Sequence, residues 1–318
     1  MYSGYITDVD GIKVGHMHSE EGMTGVTVVI SEQGATGGVD VRGSAPGTRE
    51  TDLFRPDKTV EKINAIVLAG GSAFGLDAAS GVMEFLEKKG IGLDVGFTKV
   101  PIVASAVIFD LNLGNHTIRP DKEMGYKACE NATSNENKQG NIGCGMGASV
   151  GKILGFNNAM KSGIGSASMK VGDLVISALI CVNSLGDIYE GTEEIAGVYD
   201  YNENKLLNTV EIMQKGYINN SVTHTNTTIG VVATNAKLNK AYANKLAETS
   251  HNGYAKAINP VHTMYDGDTI FALATNEIEA DLNLVFTLGA EVTRRAIVNA
   301  ILNAESIKGL KAYRDIIN

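Results

Sequence analysis

The sequence predicts a layered α/β protein, and three observations carry that prediction. Near-continuous apolar, β-branched runs such as residues 63–69 read as strands buried on both faces. These runs are followed by segments with apolar residues at helical spacing, so the sheets are covered on at least one side by helices. Finally, 37 glycines against 5 prolines and no tryptophan point to tight turns and close backbone approaches rather than disordered linkers. A chain of 318 residues with 43% hydrophobic content can bury a large core, enough for one multilayer domain or two ordinary ones.

In chain order, residues 25–30 are apolar and β-branched and predict a strand, while the repeated glycines of 34–47 predict a loop. Residues 63–69 form the next strand. Gly70 and Gly71 turn the chain into a helix with Leu76, Val82, Phe85 and Leu86 at helical spacing, stopped by Gly90. Residues 130–147 are polar and punctuated by glycine. Residues 173–189 then read as one long apolar strand with Asn183 inside it, and 200–220 as a loop or weak helix. Three further strong elements follow a polar stretch: a strand at 227–234, a helix at 236–248 and a strand at 268–274. A helix with an Ala-rich face spans 288–301. No stretch reads as an interdomain linker and no internal repeat is present.

The formal charge is −9 and lysine and arginine form no cluster, so nucleic acid and anionic membrane surfaces are not expected partners. Small neutral or cationic ligands suit this balance better. The N-terminus lacks a basic start and an apolar core of the secretory type, and the longest apolar runs, such as 175–182, are too short to span a bilayer. A soluble cytoplasmic protein is expected. Cys129, Cys144 and Cys181 make no close metal-type pair, and their odd number argues against a disulfide framework.

Several residues could carry chemistry. Ser72 in Gly70-Gly71-Ser72-Ala73-Phe74-Gly75 sits between strand and helix like the nucleophile of a serine hydrolase, but that turn needs glycine where Phe74 stands. Acid and histidine partners for it reduce to Asp110 with His116 or Asp200 with His224. The favoured reading is that Gly70, Gly71 and Ser72 offer backbone N–H groups to a substrate anion or oxyanion. His16, His18, Glu20 and Glu21 lack a third well-spaced metal partner and read as a surface turn. His262, close to Asp266, is a better functional candidate. Thr227 and Thr228 stand at the mouth of a buried strand after a polar segment. A threonine hydroxyl acts as a nucleophile only when activated, and one solution is to free its own α-amine, of pKa about 7.7–8.0, as the base.

Seven blocks in order resemble the DmpA-type self-processing aminopeptidases, a family that includes L-aminopeptidase/D-esterases, β-peptidyl aminopeptidases and nylon-oligomer hydrolases. They are Val14-Gly15-His16, then DVRGSAPGTRETDLF from Asp40, AGGSAFGLDAASGV from Ala69, VPIVASAVIFDL from Val100, GCGMGASVGK from Gly143, NTTIGVVATN from Asn226 and HTMYDGDTIFALAT from His262. The resemblance covers nearly the whole chain. It implies a single domain over residues 1–318, folded as a four-layer αββα sandwich of the N-terminal-nucleophile type, also found in ornithine acetyltransferases. It further implies cleavage of the Asn226–Thr227 bond into an α chain of 1–226 and a β chain of 227–318, with Thr227 as nucleophile.

By the same resemblance, Asn183 matches an oxyanion donor, Lys152 a lysine near the nucleophile, and Asp266 with Asp268 the acidic pair of the nylon-hydrolase branch. Two carboxylates spaced by two on a regular strand share a face, and their proximity raises one pKa. Small peptides or amino-acyl amides are the implied substrates, a homo-oligomer of four or more chains the implied assembly, and no metal or organic cofactor is required. A tyrosine near the family's active site has no counterpart in residues 105–111. Two alternatives stand beside this reading. One is acyl transfer on the same fold, although the Ala-Thr-Met-Leu cleavage motif of ornithine acetyltransferases is absent. The other is a binding protein that is never cut.

Overall fold

The computed structural model describes residues 1–216 and 226–316. Its principal strands are β1 (Ile12–Ser19), β2 (Thr24–Val41), β3 (Lys62–Ala69), β4 (Val103–Val107), β5 (Ile164–Val171), β6 (Leu174–Cys181), β7 (Ile229–Ala236) and β8 (Thr269–Ile278). The helices are α1 (Ala78–Lys88), α2 (Lys122–Glu130), α3 (Thr209–Gln214), α4 (Lys240–Ala257) and α5 (Leu282–Leu302). Hydrogen bonding runs in the order β5-β6-β7-β8-β2-β3-β4, with the short strand Thr48–Arg49 outside β4 and β1 paired to β2. The β7–β8 and β3–β4 pairs are parallel, and the other pairs are antiparallel.

Alternation along these strands builds the layers. In β7, Val231 and Ala233 face one core while Val232 faces another; in β8, Phe271 and Leu273 oppose Ile270 and Ala272 in the same way. The long strand β2 serves two sheets. Residues 26–30 pair with β3, residues 36–41 pair with β8, and the register slips between Ile30 and Ala35. The two sheets therefore fold over each other, and Val29, Ile66 and Leu68 of one meet Leu179, Val231 and Phe271 of the other. Outside them, α4 and α5 cover β5 to β8 through Leu246, Val292 and Ile297, and α1 and α2 cover β3 and β4 through Val82, Leu86 and Ala128. This is the expected helix–sheet–sheet–helix stack. Emptying a fully buried position such as Leu86 by substitution with alanine costs about 2–5 kcal/mol.

The structure departs from the sequence-based expectations at several boundaries. Residues 34–41 are not loop but the second half of β2. The glycines there serve packing: a Cβ on Gly38 would lie 2.2 Å from the backbone carbonyl carbon of Ala243, so only glycine lets α4 rest on the strand. The run 173–189 is not one strand, because β6 ends at Cys181 and a short strand, Asp187–Glu190, begins after a break. Asn183 lies in that break. α4 and α5 begin where Asn239 and Asp281 each accept the backbone N–H three residues on, at 2.9 Å, so caps and not apolar spacing set their starts. The segment from 200 holds a short strand, Lys205–Leu207, and α3; its residues 217–220 lie outside the described residues. Among the described residues no helix is long and apolar enough to cross a membrane.

Candidate functional site

Strand order delivers the site. β7 and β8 are parallel neighbours in register at Ile229 and Thr269, so the residues just ahead of each lie side by side, and Asn226 bridges to Asp266. β6 runs antiparallel to β7, pairing Cys181 with Ile229, which brings the break after β6 to the same end. Asn183, Thr227, Asp266 and Asp268 thus converge although they span 85 positions of sequence.

The Asn226–Thr227 peptide group is held from both sides. Its carbonyl oxygen accepts the Gly267 N–H at 3.0 Å, and its N–H donates to the Asn183 carbonyl at 2.9 Å. The Thr227 hydroxyl donates to the Asn226 carbonyl oxygen. Both residues are buried. Lys152, fully enclosed, donates its ammonium to the Asn183 carbonyl at 3.0 Å and to Asn183 Oδ1 at 2.9 Å. Burial lowers the Lys152 pKa to about 7 against the pull of Asp266.

The acidic pair is differently clothed at each member. Asp268 Oδ1 accepts the Thr228 N–H at 2.8 Å, and Oδ2 accepts from His262. Asp266 Oδ2 accepts the Thr263 N–H at 3.1 Å and the Thr263 hydroxyl, while Oδ1 takes the Leu185 N–H at 3.3 Å. Burial first, and the neighbouring Asp268 second, push Asp266 up to about 7.

Asn183 differs from the expected oxyanion donor. Its Oδ1 accepts from Lys152 and from the Ser149 N–H at 3.1 Å, and its Nδ2 donates to the Phe109 carbonyl at 3.2 Å. The Asn226 carbonyl instead takes the backbone N–H of Gly267 beside the Thr227 hydroxyl. A Cβ there would stand 2.6 Å from the Ala45 carbonyl oxygen and 2.9 Å from Thr227 Oγ1, so the glycine between the two aspartates is needed for fit. Ala45 belongs to a strap whose Gly43 and Ala45 N–H groups bond the carbonyls of Asp268 and Asp266.

Other candidates are placed elsewhere. The N–H groups of Gly70, Gly71 and Ser72 are taken by the Gly25 carbonyl, Asp110 Oδ1 and the Ile108 carbonyl, at 2.9, 2.7 and 2.9 Å, so they are not presented to an anion. Asp110 is buried and also binds the Thr24 hydroxyl at 2.7 Å, whereas His116 is exposed; His224 lies outside the described residues. His16 and His18 lie on β1 and not in a surface turn, since β1 pairs along its whole length with β2; His16 is buried against Thr27 at 2.9 Å. Glu20 and Glu21 do occupy the turn that follows. Gly267, Thr263 and Phe109 escape a reading of the sequence alone. The one available signal is the glycine set between two carboxylates that must both turn inward.

The family model described as peptidase family S58 matches residues 4–314. The chain is 37% identical to an uncharacterized aminopeptidase of Mycobacterium leprae (strain TN), covering 97% of this chain and 92% of that one. It is 36% identical to a 6-aminohexanoate-oligomer endohydrolase of Kocuria sp. (strain KY2), covering 86% and 75%. Among solved structures it is similar to a Burkholderia sp. beta-aminopeptidase, with TM-score 0.70 at 20% identity over 98% and 92% of the two chains. The L-aminopeptidase D-Ala-esterase/amidase of Ochrobactrum anthropi, described as a variant of the Ntn hydrolase fold, aligns with TM-score 0.69 at 18% identity over 97% and 90%.

Proposed function

The chain belongs to peptidase family S58 and is a hydrolase of peptide or other amide bonds, and from that premise we propose that it activates itself by cutting before Thr227. The Thr227 hydroxyl attacks the Asn226 carbonyl carbon, the C–N bond breaks, and an ester links Asn226 to Thr227 Oγ1. Water then hydrolyses the ester, leaving a carboxylate on Asn226 and a free amine on Thr227. The same hydroxyl next takes the acyl group of a substrate amide, expelling the amine, and water releases the acid. The observation that carries this reading is the grip on the Asn226–Thr227 peptide group, with Gly267 on its oxygen and Asn183 on its nitrogen.

Roles follow from contacts. The Gly267 N–H stabilises charge on the Asn226 oxygen as the carbonyl becomes tetrahedral; a donor in such a position is worth roughly 3–4 kcal/mol. Lys152 polarises Asn183, and the Asp266–Asp268 pair, whose Asp268 holds the neighbouring Thr228 N–H, is assigned to accept the proton that leaves the hydroxyl. After cleavage the new amine of Thr227 is a second base. Asn183 is assigned to the leaving nitrogen, and Gly70, Gly71 and Ser72 to supporting Asp110 and the Phe109 segment. Small peptides and linear amino-acyl amides suit the site, and relatives named for 6-aminohexanoate oligomers support the linear amide class. The mature form is proposed to be a homo-oligomer of paired 1–226 and 227–318 chains.

Intact-mass spectrometry of the purified protein beside Thr227→Ala tests the proposal. Two fragments divided before Thr227 in the parent, and one full-length mass in the variant, are expected. A parent that stays whole under all conditions overturns it.

A further inference from the structure

The mechanism above uses the acidic pair and leaves His262 without a part, yet the contacts of this histidine are unusual. It sits in the segment between α4 and β8 with φ +55°, in the left-handed region that non-glycine residues rarely adopt. There its ring Nδ1 lies 2.8 Å from Asp268 Oδ2, and its backbone N–H donates to the same oxygen at 3.2 Å. The ring is wedged between two residues of α4. It stacks on Tyr254 with centroids 6.0 Å apart and meets His251 edge-on at 4.8 Å. His251 is itself buried and tied to the Asp40 carbonyl at 3.1 Å.

Two buried carboxylates two residues apart resist being charged together. Asp268 receives two backbone N–H donors, from Thr228 and His262, which need no carboxyl proton, and the His262 ring adds a third when its proton sits on Nδ1. Building on the self-cleavage reading, we infer that His262 is a positioning residue: its two N–H groups fix Asp268 as the charged member of the pair, so that the single proton the pair holds is carried by Asp266, beside the Asn226–Thr227 bond. The left-handed backbone is what allows both N–H groups of one residue to reach one carboxylate oxygen. The groups facing the pair are Thr228 ahead of β7, His251 and Tyr254 of α4, Asp40 of β2 through His251, and Lys152, which in turn faces Asp110 and Cys181.

The test uses two substitutions that both tolerate a positive φ. His262→Asn keeps an N–H donor at the position of Nδ1, whereas His262→Gly removes it. Carboxyl titration by 13C NMR on the intact Thr227→Ala chain with labelled aspartate, its signals assigned with Asp266→Asn and Asp268→Asn, reads each member directly. Asp266 is expected to titrate close to neutrality, and ahead of Asp268 as the pH falls, whether His262 is kept or replaced in the His262→Asn chain. In the His262→Gly chain Asp268 takes up protons and the Asp266 midpoint falls by about one unit or more. If His262→Gly fails to fold, His262→Gln, whose amide reaches the Nε2 position instead, is expected to behave as the donor-less form. Titration curves unchanged by loss of the donor overturn the inference, as does an Asp268 already protonated at pH 7. In the cleavable chain, the acid limb of the cutting rate is expected to move to higher pH in His262→Gly and to return in His262→Asn. A parent that never cuts but titrates as described defeats the self-cleavage reading alone; a parent that cuts with curves indifferent to His262 defeats this one.

Discussion

Lys152 and Lys161 are both fully enclosed, and burial lowers each to about 7, yet their neighbourhoods differ. Lys161 donates to the carbonyls of Gly145 and Ala148 at 3.0 Å and to that of Ser162, so three backbone acceptors match the three hydrogens of an ammonium. It pins the tight turn Gly143–Gly147 against the sheet. Lys152 instead donates to both oxygens of one residue, Asn183, whose carbonyl also receives the Thr227 N–H. One lysine closes a structural account of backbone groups; the other is wired to the bond proposed to break. Identical burial and a similar pKa therefore carry different meanings, and the acceptors decide which.

The sharpest way to break this distinction is to remove each ammonium. Lys161→Met takes the ammonium from three buried carbonyls, of which those of Gly145 and Ala148 keep the N–H of Ala148 and Ser162, and is expected to lower stability by about 1–3 kcal/mol in denaturant unfolding, with folded protein still cutting before Thr227. Lys152→Met is expected to slow that cut by at least ~10²-fold, followed by intact mass against time. Equal slowing by the two substitutions would erase the contrast.

The proton chemistry on the Lys152 side gives a smaller effect. Asp266 in the fold titrates up at about 7 against 3.8 for an ordinary aspartate, so between these values the native state holds the extra proton and stability falls as pH rises. In the uncleavable Thr227→Ala chain, Asp266 is expected to contribute a decline in stability from pH 5 to pH 8, with the raised Asp110, Asp187 and Glu194 adding to it and the lowered Lys152 and Lys161 opposing it. Asp266→Asn in that chain should remove on the order of 2–4 kcal/mol of pH-dependent destabilisation across the window. A slope left unchanged by the substitution assigns the pH dependence to other groups. The smallest effect is expected away from both lysines, at Ser72, where the N–H and not the hydroxyl is bonded. Ser72→Ala is expected to leave the cut within about twofold and stability within ~0.5 kcal/mol, and abolished cutting would revive the serine-nucleophile reading.

Much of this is legible in the sequence, for identifiable reasons. Strands such as β3 and β7 announce themselves because both faces are buried, which leaves an almost unbroken apolar run. Four of the converging residues, Thr227, Lys152, Asp266 and Asp268, lie in the seven ordered blocks, and Asn183, matched outside them, meets them. What stays hidden is direction. Nothing in the letters says that the Asn183 amide turns to Phe109, that Gly267 supplies the donor on Asn226, or that the glycines of 34–41 continue a strand beneath α4. Backbone donors leave no side-chain trace, and a glycine needed for contact is spelled like one needed for a turn.

The strand order has a consequence for what a cut before Thr227 can do. β7 and β8 come from the C-terminal piece, but they lie between β6 and β2 of the N-terminal piece, with α4 and α5 laid over the join. The fragments are interleaved like the fingers of two hands. Severing one peptide bond changes the number of chain ends without opening a seam, so the pieces can part only by unfolding together, and a cut molecule is expected to travel as one particle until it is denatured.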